Sequence, residues 1–222
     1  MQHPVTIKRS RRKTLGLYVK QGQVEVRAPL FVGDQEIQQW LQQKQGWISE
    51  KLQEQQQKQA EQPSLAPGSQ LLFFGKPRTL HFTPGQPCVL EHDDEQLIIR
   101  HKTNTDTDKL ISNWLKQEAS HYLTARTWEL ADEMQLTERI SAIGFRKTRS
   151  KWGHCTSTGR LQFNWLAIMA PPEVIDYLII HELSHLEHLN HSRAFWQRVA
   201  SHCPDYKIHR RWFRDHGHRI WL

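Results

Sequence analysis

Residues 171–196 constrain this chain more than any other segment, because they carry the pattern H-E-x-x-H inside an apolar, helix-like run. The pattern consists of His181, Glu182 and His185 with two residues between the last two. On a helix, residues four apart share one face, so both imidazoles can bind a single zinc ion while the Glu lies beside the metal's water. Two prolines open the segment, as suits a first helical turn, and no Pro or Gly follows within it. The alternative is a buried amphipathic helix that carries histidines by chance.

A third ligand is needed, because catalytic zinc takes three protein ligands and leaves one position for water or substrate. His191 lies six residues after His185, and Asn190 could end the helix there because Asn tolerates the left-handed conformation. His188 competes for the role, but on a straight helix it lies about 10 Å along the axis from His181, too far to share one ion. We therefore predict that His188 is exposed or supports a ligand. The predicted metal ligands are His181, His185 and His191.

Composition excludes several classes of protein. No apolar run reaches the roughly 18 residues of a membrane span, and the first residues do not resemble a signal peptide, so we expect a cytoplasmic protein without membrane contact. The three cysteines form no C-x-x-C pair, and Cys88 and Cys203 are predicted to be packing residues.

The net charge of +7 permits contact with polyanions. Basic clusters at 8–13 and 209–214 are candidate nucleic-acid contacts, with solvated basic faces as the alternative.

Periodicity along the chain predicts an α+β protein. A small, β-rich N-terminal region, 1–105, shows no obvious chemistry, and the catalytic region occupies 106–222. Residues 53–62 are rich in Gln and are predicted to fray into a linker. The predicted elements are strands at 14–19 and 23–28 forming a hairpin, a helix capped by Asp34 and reaching Leu52, strands within 70–82 and 88–100, a helix capped by Asp106 or Asp108 and reaching about Met134, and strands at 139–145 and 161–166.

The strand at 161–166 follows a polar loop, 149–156, and directly precedes the predicted metal helix. In zinc peptidases of this type, an edge strand beside the metal can pair with an extended substrate backbone. An ordinary strand inside a sheet is the alternative. The candidate substrate-binding residues of the loop and the strand are Trp152, His154, Phe163, Asn164 and Trp165.

Taken together, the run K-W-G-H-C at 151–155, the two prolines, H-E-x-x-H and the run N-H-S-x-x-F-W at 190–196 resemble the YgjP-like metallopeptidase family. This family is related to the SprT-like and WLM metalloproteases. The resemblance implies a zincin-like catalytic half, with the H-E-x-x-H helix beside a short sheet. It also implies that His181, His185 and His191 bind the metal and that Glu182 is the general base. The family usually has Ser where this chain has His154, which leaves the role of that position open.

These observations predict a zinc-dependent hydrolase, although another divalent metal could serve. Our first hypothesis is a metallopeptidase in which the metal activates a water molecule whose proton Glu182 accepts. The second is a metal-dependent nucleoside triphosphate pyrophosphatase, which the basic charge favours. The third is a nucleic-acid-associated binding module with a non-catalytic metal, although a structural site normally has four protein ligands and needs no base. The candidates for stabilising charge that develops during the reaction are His154, Tyr177, His202 and His209.

Overall fold

The computed structural model describes residues 4–20, 22–85 and 89–222, with only the backbone described at residue 89. Cys88 and the first residue of the predicted hairpin turn, Gln21, therefore lie outside the described residues. The chain divides into two compact units, Met1–Gln62 and Pro63–Leu222. The sequence places a domain boundary at residue 105 instead. The second compact unit begins earlier because buried side chains from Leu71 onward share one hydrophobic core with those of the later helices.

The first unit contains a three-stranded sheet and two helices. The predicted hairpin is confirmed as an antiparallel pair of strands. A further strand, which ends within the first basic cluster, pairs in parallel with the second strand of the hairpin. The single helix predicted from Asp34 is two helices that meet at Lys44, and Gly33 rather than Asp34 is the N-cap. The predicted fraying after residue 53 is wrong, because the Gln-rich segment, a good helix former, stays helical to Ala60. The elements are β1 (Val5–Ser10), β2 (Gly16–Lys20), β3 (Gln23–Pro29), α1 (Asp34–Gln43) and α2 (Gln45–Ala60).

The second unit begins with a four-stranded sheet followed by a long helix. The strand order β4-β5-β7-β6 confirms the strands predicted from short apolar runs. The helix starts where the Asp106 carboxylate accepts a hydrogen bond from the Lys109 amide at 3.0 Å, which confirms the predicted cap. Although this helix has 27 residues, none of the described helices combines the length and apolar character needed to cross a membrane. The elements are β4 (Gln70–Phe73), β5 (Lys76–Pro84), β6 (Val89–His92), β7 (Gln96–His101) and α3 (Thr107–Glu133).

A second, three-stranded sheet and three helices complete the chain. Its order is β8-β10-β9, with β10 parallel to β8 and antiparallel to β9. The strand predicted at 161–166 is β10, and of its two interpretations the ordinary strand inside a sheet is confirmed, because β10 lies between two partners. The edge strand nearest the H-E-x-x-H helix is β9, which contacts α4. The elements are β8 (Ala142–Arg146), β9 (Gly153–Cys155), β10 (Arg160–Asn164), α4 (Pro172–Ser184), α5 (Arg193–His202) and α6 (Tyr206–His216).

Candidate metal centre

Three histidines converge at the end of α4. One ligand atom from each of His181, His185 and His191 lies within 4.8 Å of the other two, and the Nε2 atoms of His181 and His191 are 3.1 Å apart. Two nitrogens bound to one tetrahedral zinc at about 2.05 Å lie about 3.3 Å from each other, so this spacing fits such an ion. Within the described part of the chain, no other group of three or more His, Cys, Asp or Glu side chains meets this criterion.

An early end to α4 brings the third histidine back. The helix stops at Ser184, whose carbonyl accepts from the His188 amide at 3.0 Å, rather than continuing to Asn190 as expected. Asn190 is also absent from the described residues with positive φ, so the left-handed ending predicted for it is wrong. An ion pair of 2.7 Å between Glu187 and Arg198 of α5 holds the turn that leads to His191.

Backbone contacts fix the orientation of His185. Its Nδ1 lies 3.0 Å from the carbonyl oxygen of His188, and because a carbonyl only accepts, Nδ1 must carry the proton. The lone pair of Nε2 is then free to bind a metal, as in many sites where a ligand histidine donates its other N–H to the protein. The side chain of His188 is not in the converging group, so this residue contributes through its backbone. In His181, by contrast, Nδ1 is buried without a hydrogen-bond partner among the described residues.

The Phe195 ring contacts all three imidazoles. Its ring centroid is 4.9 Å from that of His181, 4.5 Å from His185 and 4.8 Å from His191, and its side chain is fully buried. Trp196 stacks on His191 with centroids 5.5 Å apart and an interplanar angle of 22°. The sequence identified these two aromatics only as part of a family motif, because nothing in their spacing shows that one ring would touch all three histidines.

The Glu182 carboxyl is buried against the backbone of β9. A Cβ atom at position 153 would lie 2.6 Å from Glu182 Cδ, so the carboxyl occupies space that only a glycine leaves. Burial raises the pKa of Glu182 to about 8, and the charge of Lys151 opposes that rise. Its Oε2 has no hydrogen-bond partner among the described residues, and its carboxylate is not part of the ligand group. Glu182 therefore lies beside the histidines without joining them.

A cleft of about 500 Å³ opens over these groups. Tyr177 and His154, two of the candidates for charge stabilisation, line it, whereas His202 and His209 are not among its described lining residues. Burial raises the pKa of Tyr177 to about 12, so its phenol stays protonated and able to donate. Arg210 also lines the cleft, with its guanidinium 4.9 Å from the Trp196 ring centroid. The sequence grouped Arg210 with a basic cluster and gave no sign that α6 returns it to the histidines.

The five candidate substrate-binding residues separate into two sets. Trp152 and His154 line the cleft. Phe163 and Trp165 have buried side chains in the hydrophobic core, and Phe163 also lines a smaller pocket of about 170 Å³ that shares residues with the cleft. The Asn164 amide donates to the Thr148 carbonyl at 3.2 Å and its oxygen accepts from the Leu166 amide at 3.2 Å, so this side chain supports the loop before β9.

The two basic clusters differ in their surroundings. In the first, Lys8 pairs with Glu25 and Arg9 pairs with Asp34, so part of its charge is neutralised within the protein. The second forms most of α6, which contributes Arg210 to the cleft. Contact of either cluster with nucleic acid stays a prediction.

Comparison with known proteins found a matching family and similar solved structures. The family model described as YgjP-like, metallopeptidase domain, matches residues 13–216. Among solved structures, the crystal structure of the metallopeptidase zymogen of Pyrococcus abyssi abylysin is similar, with 19% sequence identity, a TM-score of 0.38, and coverage of 42% of this chain and 93% of that one. No curated protein matched. The family match includes all three converging histidines and Glu182.

Proposed function

The chain belongs to the YgjP-like metallopeptidase family and is therefore a metal-dependent peptidase, and we propose that its metal is zinc and that Glu182 is its general base. The observation that carries this proposal is the convergence of three histidine ligand atoms within 4.8 Å beside a buried carboxyl that is not one of them. A catalytic zinc takes three protein ligands and leaves one position open. No fourth His, Cys or carboxylate of the described residues joins the group, which agrees with an open position.

Each group of the chain then has a distinct task. When bound by the three histidines, the metal supplies Lewis acidity, which polarises the scissile carbonyl and acidifies water. Glu182 accepts the proton of the attacking water and delivers it to the leaving amine. Tyr177 and Arg210 face the same cleft as hydrogen-bond donors suited to the oxygen on which negative charge develops. Gly153 has no side chain, and this leaves the space that the Glu182 carboxyl occupies.

The free edge of β9 supports an extended polypeptide as the substrate. The carbonyl of Trp152 accepts from the Asn164 amide at 2.7 Å, and the Thr156 amide donates to the Arg160 carbonyl at 3.0 Å. Because bonded pairs alternate along an antiparallel ladder, the amide and carbonyl groups of the two residues flanking His154 point away from β10. No described strand pairs with β9 on that side. A substrate strand could bind there. The pairing with a substrate backbone that was considered for β10 is therefore proposed for β9.

A nucleoside triphosphate remains a second candidate substrate because Lys151 and Arg210 both line the cleft, and such cations bind phosphate oxygens. The third hypothesis, a binding module with a structural metal, requires a fourth protein ligand. Neither His154 nor His188 supplies one in the described structure.

The test compares zinc-loaded wild-type protein with Glu182→Gln, each incubated with an unfolded protein and the four nucleoside triphosphates, with products identified by mass spectrometry. We expect peptide fragments from the wild type only, with equal zinc content in both proteins. Nucleoside monophosphates made only by the wild type would keep the site but change the substrate. Fragments made equally by both proteins would refute Glu182 as the general base.

A further inference from the structure

A second, polar pocket lies on the face of the β8-β10-β9 sheet that is turned away from the core. Leu161 and Phe163 of β10 are buried on one face, so the alternate residues of this strand are on the other. The pocket has a volume of about 270 Å³. Its lining residues, which we call the arginine pocket, are Arg146, His154, Thr156, Arg160 and Gln162.

The two arginines of this pocket have no anionic partner among the described residues. Within the described part of the chain, neither the Arg146 nor the Arg160 guanidinium makes an ion pair or a hydrogen bond. Arg160 extends across the neighbouring strand, where its Nη2 is 3.8 Å from the Cβ position of Gly144. Its lining, as far as the structure describes the chain, contains no Asp or Glu. Two unpaired guanidinium groups facing one cavity form a site suited to a carboxylate or a phosphate, which they bind by charge-assisted hydrogen bonds.

The arginine pocket shares lining residues with the metal cleft. His154 lines both of them, and a smaller pocket of about 170 Å³ shares Lys151 and Trp152 with the cleft and Gln162 with the arginine pocket. Along β9, successive side chains point to opposite faces, so His154 faces the arginine pocket while its two neighbours face α4. Residues directly opposite each other on paired strands place their side chains on the same face. A substrate strand paired with β9 would thus direct the side chain opposite His154 toward the arginine pocket.

We propose that the arginine pocket is a specificity subsite for an acidic side chain of the polypeptide substrate, with Glu preferred to Asp because it reaches farther. This inference rests on the proposed peptidase function and adds a substrate class to it. A nucleic acid strand is less favoured, because Trp152, an aromatic residue that lines the metal cleft and the smaller pocket, is already stacked on Phe213, with centroids 5.0 Å apart, and meets Trp221 edge-on at 6.0 Å. The Phe213 ring therefore covers one face on which a base could otherwise stack.

The test begins from a cleavage site mapped by mass spectrometry in an unfolded protein. Synthetic peptides of that site would carry Glu, Gln or Lys at each position flanking the scissile bond, and kcat/KM would be measured for each. We expect Glu at one position to raise kcat/KM about tenfold over Gln, the size expected for a charge-assisted hydrogen bond. The double variant Arg146→Glu with Arg160→Glu should reverse the order and prefer Lys, whereas Arg160→Lys should retain most of the preference for Glu.

Arg149→Glu is the matched control. Arg149 is exposed in the loop before β9 and does not line the arginine pocket, so its reversal should leave the Glu preference intact. An equal loss of preference in this control, or an unchanged preference in the double variant, would overturn the subsite. Cleavage of all peptides at equal rates would overturn the subsite and leave the peptidase proposal standing. No cleavage of any peptide by zinc-loaded wild type would overturn both. Competition by a single-stranded oligonucleotide that depends on Arg160, without a Glu preference, would assign the pocket to nucleic acid instead.

Discussion

The two compact units are stabilised in different ways. In the first, Met1–Gln62, the main cluster of buried apolar residues has four members, Val26, Ala28, Val32 and Ile37, and the described residues of this unit also form five partly exposed ion pairs. In the second, Pro63–Leu222, a continuous core extends from Leu71 to Ile220 and includes Phe195. The candidate metal centre lies wholly in the second unit. The groups that require fixed geometry are thus placed where many packed side chains determine their positions.

Because its core is smaller, we expect the first unit to be less stable than the second. Exposed ion pairs contribute little to the free energy of unfolding, typically about 0–1 kcal/mol each. A unit of this size also buries a smaller fraction of its surface than a larger one. Substitutions at the metal centre should therefore change the stability of the second unit. Small changes in charge should lower the stability of the first unit before that of the second.

The largest expected effect is that of His191→Ala on metal binding. Loss of one of three ligands should reduce zinc affinity by more than the roughly 10–100-fold that loss of an outer hydrogen-bond partner costs. His188→Ala is the control, because this residue supports His185 through its backbone carbonyl, which the substitution keeps. Competition with a zinc chelator would measure both affinities. Equal affinities in His191→Ala and the wild type would refute the ligand assignment.

Phe195→Ala should come next, with effects on both stability and metal affinity. Removing this fully buried ring should lower the free energy of unfolding by about 3–5 kcal/mol. It should also leave the three imidazoles without the ring that all of them contact. Phe163→Ala removes another fully buried ring, which makes no ring contact with those imidazoles among the described residues, and should cost similar stability with little change in zinc affinity. Urea unfolding and chelator competition would separate the two effects. Similar zinc affinities in the two variants would show that Phe195 acts only as a core residue.

A smaller effect should follow from adding a methyl group at a single glycine. Gly153→Ala places a Cβ against the Glu182 carboxyl, so we expect kcat to fall about 10–100-fold while zinc affinity is retained, since small displacements of a catalytic group have this scale. The same change in the first unit, Gly46→Ala in α2, meets no atom within 4 Å and should stabilise the helix by about 0.5–1 kcal/mol. An unchanged kcat in Gly153→Ala would contradict the close packing between β9 and Glu182.

The features predicted correctly from the sequence are local ones. The spacing of His181 and His185, the cap at Asp106 and the alternation of the hairpin strands all depend on residues within a few positions of each other. The features that were missed depend on the tertiary fold. Arg210 reaches the cleft because α6 packs against α4, and β1 escaped notice because its partner in the parallel pair is about twenty residues away. Whether the strand at 161–166 lies at an edge or inside a sheet stayed open, because the order of strands in a sheet cannot be deduced from the periodicity of one strand.

The smallest expected effect is a loss of stability in acid within the first unit. Glu25, hydrogen-bonded to Lys8 and Arg27, and Glu54, hydrogen-bonded to Lys51 and Lys58, both have a pKa lowered from 4.5 to about 2. A carboxyl with a lowered pKa in the folded state stabilises that state fully above its unfolded pKa, and this contribution is lost as the pH falls from 4.5 toward 2. Hydrogen exchange, corrected for the intrinsic effect of pH, should therefore show protection in α1 and α2 decreasing over this range. Because the pairs are exposed, 1 M salt should reduce the decrease, and the double variant Glu25→Gln with Glu54→Gln should flatten it. An equal loss of protection in α4 over the same range would show that the two units unfold together and that the difference in their cores does not divide the chain's stability.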